Sequence, residues 1–184
     1  MRKKLLIAFA VLVGILGVLA VVVAMQPSEY RIERTAKIDA PPEIAFAQVN
    51  DFHNWDAWSP WAKLDPAMVA TFEGPASGVG AIYKWSGNDK VGEGQMTILE
   101  SKPDEFIRFK LEFLRPFPDT CTTEFTFKPE GASTSAIWTM TGRRNFMAKG
   151  VCLVMDMDKM VGGDFENGLA QMKTVCEEKA KAKK

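Results

Sequence analysis

The run from Leu5 to Gln26 carries no charge, and it constrains the chain more than any other feature. Its 22 residues, at about 1.5 Å each, make a helix that crosses the ~30 Å hydrocarbon layer of a bilayer. Such a helix satisfies its own backbone hydrogen bonds, and Gly14 and Gly17 do not spoil it, since glycine is common in membrane helices. Two readings stand. One is an uncleaved membrane anchor. The other is a cleaved signal peptide, with Arg2-Lys3-Lys4 as its basic start and Val22-Val23-Ala24 as a cleavage site. The run exceeds the usual apolar core of a signal peptide, about 7–15 residues, which favours the anchor. The leading positives orient the rest of the chain to the extracytoplasmic side. Arg31, Arg34 and Lys37 just beyond the run weaken that bias.

The chain therefore divides into residues 1–26 as anchor or signal peptide, 27–178 as a folded domain, and 179–184 as a lysine-rich tail. The 23 basic and 23 acidic side chains cancel over the whole chain. The two ends, Arg2–Lys4 and Glu177–Lys184, hold +3 and +2, which leaves −5 on the stretch between. A mildly acidic body excludes nucleic acid, which needs a basic face for its phosphates. The domain is long enough to bury a core without metals or disulfides. Its three cysteines, Cys121, Cys152 and Cys176, have no CxxC spacing and read as small core hydrophobes.

After a short linker, Gln26-Pro27-Ser28, the residues Tyr30 to Ile38 alternate as a half-buried strand. Asp39-Ala40-Pro41-Pro42 starts a short helix that Asn50-Asp51 ends. A second short helix follows over the tryptophan-rich Asn54–Trp61. Six strands come next: Met68–Glu73, Ala81–Ser86, Glu93–Ser101, Glu105–Leu114, Thr120–Lys128 and Ser133–Thr141. In the fourth of these, Ile107, Phe109, Leu111 and Phe113 face one way, and Arg108, Lys110 and Glu112 the other. Short turns between strands imply antiparallel pairing. Ala148–Met160 is rich in methionine, and Gly162-Gly163 is expected to bend or interrupt the helix. Phe165, Leu169, Met172 and Cys176 then form one stripe of a long helix. An α+β fold follows: a curled antiparallel sheet of about seven strands around a long C-terminal helix, plus the N-terminal apolar helix.

Several local patterns carry a resemblance. They are Ile38-Asp39-Ala40-Pro41-Pro42-Glu43-Ile44-Ala45-Phe46, Asn54-Trp55-Asp56-Ala57-Trp58-Ser59-Pro60-Trp61, Gly87–Gly94 and Asp158–Leu169. With the element order they resemble the SRPBCC, or START-like, superfamily over about Tyr30 to Glu178, in its polyketide cyclase/dehydrase branch and a subgroup with an N-terminal hydrophobic segment. The resemblance implies the helix-grip fold and a cavity between sheet and helix that takes lipids, sterols, hormones or polyketides. It does not imply a particular activity.

His53 is the only histidine, which excludes sites built on paired histidines. HExxH, GxSxG and Cys/His clusters are absent from the sequence. His53, beside Asp51 and Asp56, is either a general base oriented by a carboxylate or an ordinary loop histidine. The acidic run Asp156, Asp158, Asp164 and Glu166 lacks the EF-hand pattern and reads as a solvated helix face. Glu93 and Gln95 either anchor a ligand from inside the cavity or face solvent. Glycines such as Gly78, Gly80, Gly92 and Gly94 read as turns and bulges.

The main signal is aromatic. Five tryptophans and ten methionines favour a roomy, adaptable apolar interior. The candidate ligand-binding residues are Trp55, Trp58, Trp61, Tyr83, Trp85, Phe109, Phe113, Phe125, Trp138, Met140, Met160 and Phe165. The leading expectation is a membrane-tethered, non-catalytic domain that binds a hydrophobic or amphipathic small molecule, lipid included, and needs no cofactor or metal. One alternative is a cyclase- or hydratase-type enzyme using His53 or an inward carboxylate. Another is a ligand-free protein-interaction domain, whose partners the sequence does not name.

Overall fold

The computed structural model describes residues 2–182 and shows seven strands and four α-helices in that span. The final lysines of the tail, Lys183 and Lys184, lie outside the described residues. Helix α1 (Arg2–Met25) is the apolar run. Strand β1 (Glu29–Ile38) leads to α2 (Pro42–Asn50) and a 3-10 helix, Phe52–Ala57. Strands β2 (Val69–Glu73), β3 (Ile82–Ser86), β4 (Glu93–Lys102), β5 (Phe106–Arg115), β6 (Asp119–Glu130) and β7 (Ser133–Arg143) follow. Helix α3 (Phe146–Val151) precedes the long α4 (Met157–Ala182).

The strands form one sheet in the order β1-β7-β6-β5-β4-β3-β2. Pairing from β2 through β7 is antiparallel, as the short turns require. The chain forms two compact units. One joins the residues up to Tyr30 with Arg143–Met157; the other joins Arg31–Gly142 with the residues from Asp158 onward. The second unit contains almost all of the sheet, α2, the 3-10 helix and nearly all of α4.

Alternation along the strands sets the two faces of the sheet. Ile107, Phe109 and Leu111 of β5, with Cys121, Phe125 and Phe127 of β6, are buried on one face. Arg108 lies on the other, where it pairs with Glu100 and Glu124 at 2.7 Å each. The apolar face is covered by α4, whose Phe165, Leu169, Met172 and Cys176 are all buried. Burial also pushes the Cys176 thiol up to about 12, so this cysteine is an inert core residue. The α2 and 3-10 segment fills the remaining part of the same face. Pro41 stands at the helix entry, and Asp51 both ends α2 and accepts a hydrogen bond from the His53 backbone N–H at 2.9 Å.

Besides the second short helix, which is a 3-10 helix over Phe52–Ala57 and not over Asn54–Trp61, two details differ from the sequence reading. Helix α4 runs through Gly162-Gly163 without interruption. A Cβ on Gly162 would lie 2.0 Å from the Arg34 guanidinium, which bridges Asp158 and Glu166 on the same helix at 3.0 and 2.7 Å. The glycine therefore makes room for an arginine and does not break the helix. The second detail is α3, a separate short helix where the sequence shows only a methionine-rich stretch. Asn145 caps it by accepting from Ala148 N–H at 2.8 Å.

Phe109 is 1% exposed and touches the rings of Phe52, Trp55 and Phe125. Phe109→Ala is expected to destabilise the domain by about 3–5 kcal/mol, the range for truncating a closed aromatic core position. Urea denaturation followed by circular dichroism checks this; a change within error of zero would place Phe109 in open space.

Candidate functional site: the aromatic face of the sheet

Six of the expected ligand residues form one continuous aromatic stack: Trp55, Trp58, Phe109, Phe125, Trp138 and Phe165. Trp138 is central. It lies parallel to Phe165 at 4.0 Å and 4°, stacks on Phe125 at 4.8 Å, and meets Trp58 edge-on at 5.7 Å. Trp55 closes the other side against Trp58 at 4.6 Å. Trp61, half-buried, meets both Trp138 and Phe165 edge-on and forms the rim. The edge-to-face contacts suit the quadrupoles of the rings.

Tyr83, Trp85 and Phe113 form a second, half-buried group on β3 and β5. Tyr83 stacks on Trp85 at 5.9 Å, and Trp85 meets Phe113 edge-on at 6.2 Å. Burial, with Asp56 nearby, raises the Tyr83 hydroxyl to about 12 and keeps it neutral. Met140 is buried opposite Thr123 in the β6–β7 register. Met160 is 48% exposed in the first turns of α4.

A tryptophan buried in apolar surroundings wants an acceptor for its indole N–H. Trp55 donates to Val49 O, Trp58 to Gln48 O and Trp85 to Val91 O, at 3.0–3.1 Å. Trp61 donates to the Asp164 carboxylate. Trp138 Nε1 is buried with no partner among the described residues, and so is Thr123 Oγ1. Thr123 pairs with Met140 and Phe125 with Trp138, so the two orphans are diagonal neighbours on the same face. Leaving a buried donor or acceptor unpaired costs about 1–3 kcal/mol.

The chain matches the family model described as "Polyketide cyclase / dehydrase and lipid transport" over residues 29–177. The chain belongs to this family. No curated protein matches it in sequence. Among solved structures, a Chromobacterium violaceum protein superposes with a TM-score of 0.57 at 18% identity, over 83% of this chain and 99% of its own. The Aha1 protein of Colwellia psychrerythraea gives 0.58 at 15% identity, over 80% and 96%. The di-domain ARO/CYC protein BexL, from the BE-7585A biosynthetic pathway, gives 0.60 at 18% identity, over 84% of this chain and 52% of BexL. At such identities the likeness shows a shared fold, the helix-grip arrangement of a polyketide cyclase family member.

Other residues singled out in the sequence fall away from the aromatic stack. His53 has a half-exposed side chain; its Nδ1 lies 2.7 Å from Asp51 Oδ1, and its ring stacks on Phe72 at 4.1 Å. Glu93 and Gln95 lie on the opposite face of the sheet, where they line a pocket of about 250 Å³ and Gln95 donates to Glu112 at 2.7 Å. Of the acidic run, Asp158 and Glu166 hold Arg34. Among the described residues no cluster of His, Cys, Asp and Glu has metal-binding geometry. Gly94 sits at a register shift between β4 and β5, where a Cβ would lie 2.4 Å from Glu112 O. The sequence reading passed over Thr123. Its signal was there, a hydroxyl between Cys121 and Phe125 on an otherwise apolar strand face.

Burial at the rim raises the Asp164 carboxyl above its ordinary value, only partly offset by the Trp61 hydrogen bond. A raised carboxyl destabilises the fold once ionised. That burden is full above the folded pKa and vanishes below the unfolded one, about 3.9. Asp164→Asn keeps an acceptor for Trp61 and removes the charge. The variant is therefore expected to be more stable than the parent at neutral pH, with the gap closing on acidification toward pH ~3.9. Thermal melts across that range test the sign.

Proposed function

We propose that this domain binds a hydrophobic or amphipathic small molecule, lipid included, on the aromatic face between the sheet and α4, and does so while tethered to a membrane by α1. The observation that carries the reading is the orphaned pair, Thr123 Oγ1 and Trp138 Nε1. One offers a hydroxyl and the other an indole N–H. Together they suit the single polar group of a mostly apolar ligand, the usual composition of such sites. Trp61 meets Trp138 edge-on and Met140 pairs with Thr123, while Tyr83, Trp85 and Phe113 extend the apolar face farther along the sheet and Met160 is exposed at the start of α4. The stack of Trp55 and Trp58 on Phe125 must shift for a large ligand to enter. Membership of a family described by cyclase, dehydrase and lipid-transport activities supports the same ligand class.

Binding is expected to show a negative heat-capacity change on titration with a fluorescent long-chain fatty acid. Thr123→Val should weaken that probe about fivefold, the equivalent of one hydrogen bond near 1 kcal/mol, and leave the fold intact. Unchanged affinity would remove Thr123 from the site. No binding of any apolar probe would favour the ligand-free interaction domain, a reading that the closely packed stack also supports. The enzyme alternative has one observation in its favour, the His53–Asp51 contact at 2.7 Å. His53→Ala is expected to leave probe binding unchanged; lost turnover of a substrate would shift the assignment to an acid/base enzyme.

The tether places the domain on the extracytoplasmic side in this reading. Helix α1 is long and apolar enough to cross a bilayer, a property it shares with signal sequences. Arg2, Lys3 and Lys4 precede it and retain the N-terminus in the cytoplasm. A reporter fused after Lys184 is expected to be active only in the exported compartment. Cytoplasmic activity would reverse the orientation, and a soluble product lacking the first residues would replace anchor by signal peptide.

A further inference from the structure

The segment after β7 contains a row of apolar side chains that the fold leaves uncovered. Phe146, Met147, Val151, Leu153, Val154 and Met155 are all exposed, Met147 at 75% and Val154 at 86%. They fall within one short stretch that forms α3 and the turns continuing it, Leu153 N–H to Gly150 O and Met155 N–H to Val151 O. So dense an apolar patch is unusual on water-facing surface and marks an interaction site.

Its position says what it meets. Helix α3 packs against the last turn of α1. Lys149 Nζ donates to Ala24 O at 3.2 Å, and Gly150 lies against Val23, which is buried there. Arg144 N–H donates to Ser28 O at 2.6 Å, and the Arg144 guanidinium lies 5.2 Å from the Tyr30 ring centre. The patch therefore sits level with the end of the apolar run, where a spanning helix leaves the hydrocarbon. Arg144, Lys149 and Tyr30 gather at the same level. Cations and tyrosine at that depth match the headgroup zone, and apolar side chains beside them match the acyl boundary below it.

We propose that α3 and its following turns are an interfacial membrane segment. Its apolar side chains insert into the bilayer beside the end of α1, so that the domain is attached at two points and not by a single flexible tether. An amphipathic segment of this kind sinks about 5–10 Å into the headgroup and acyl boundary. The inference rests on the reading of α1 as an uncleaved anchor.

The test uses the full chain in vesicles of phosphatidylcholine and phosphatidylglycerol in equal parts. The background is Cys152→Ser, which leaves two buried cysteines. Nitroxide labels are placed at Leu12→Cys in α1, Val154→Cys in the patch and Glu130→Cys at the exposed β6 end. Collision with oxygen and with a water-soluble nickel chelate is read for each. The Val154 label is expected to collide several-fold less with nickel than the Glu130 label, and to keep high oxygen collision. A Leu12 label deep in the bilayer with a nickel-accessible Val154 label would overturn the interfacial segment and leave the anchor standing. A Val154 label shielded from both reagents would mean a protein contact, such as a second copy, and would also overturn it. A Leu12 label accessible to nickel would overturn the anchor and this inference together.

Discussion

Trp138 and Phe165 lie face to face, 4.0 Å apart and 4° from parallel, and this stack joins the sheet to the long helix. Its geometry sets limits on everything around it. Helix α4 approaches closely enough for the stack only because residue 168 is glycine. A Cβ there would lie 2.9 Å from Trp138 Cζ3 and 3.1 Å from Pro60 Cδ. The turns that follow the 3-10 helix then close over the remaining edge of Trp138 with Trp58 and Trp61. Sheet, helix and tryptophan-rich loop thus meet at one residue, and the arrangement leaves the indole N–H of that residue without an acceptor among the described residues.

A second tie works from the polar side. The Arg34 guanidinium reaches across from β1 to Asp158 and Glu166 and fills the space that Gly162 leaves. These carboxylates are largely exposed, so each pair alone contributes little in water. Their combined effect is positional: Arg34 fixes the first turns of α4 against the sheet edge while Phe165 fixes the next. At the other end of the helix, Lys173 pairs with Glu177 and donates to Lys37 O at 2.9 Å, and Lys179 donates to Gln48 Oε1 at 2.9 Å.

The first unit follows a different physical rule. In the second unit the large apolar residues turn inward, and the opposite face of the sheet has a ladder of charge, Glu100–Arg108–Glu124. In the first unit they turn outward along nearly all of α1 and again along α3. Water penalises such exposure, and the proposed membrane attachment would relieve it.

Much of this was legible from residue order alone. Period-two alternation sets strand β5 and its buried side, because Ile107, Phe109 and Leu111 can be hidden only if Arg108 and Lys110 are not. The stripe from Phe165 to Cys176 sets the buried side of α4 in the same way. An uncharged run of membrane length needs no tertiary context to be recognised. Local pattern did not reveal what depends on distant residues. Gly162-Gly163 looked like a break because helix propensity is local, whereas the reason for Gly162 is Arg34, far away in sequence. Glu93 and Gln95 lie beside a register shift, where alternation loses its phase, and only strand pairing put them on the outer face. Thr123 was visible as a residue but not as an orphan, since an unpaired hydroxyl is defined by neighbours that other elements supply. Composition determined that the interior would be aromatic; the tertiary structure decided which rings touch and which polar atoms they leave unpaired, because stacking and hydrogen bonding depend on ångström distances that no spacing in the chain encodes.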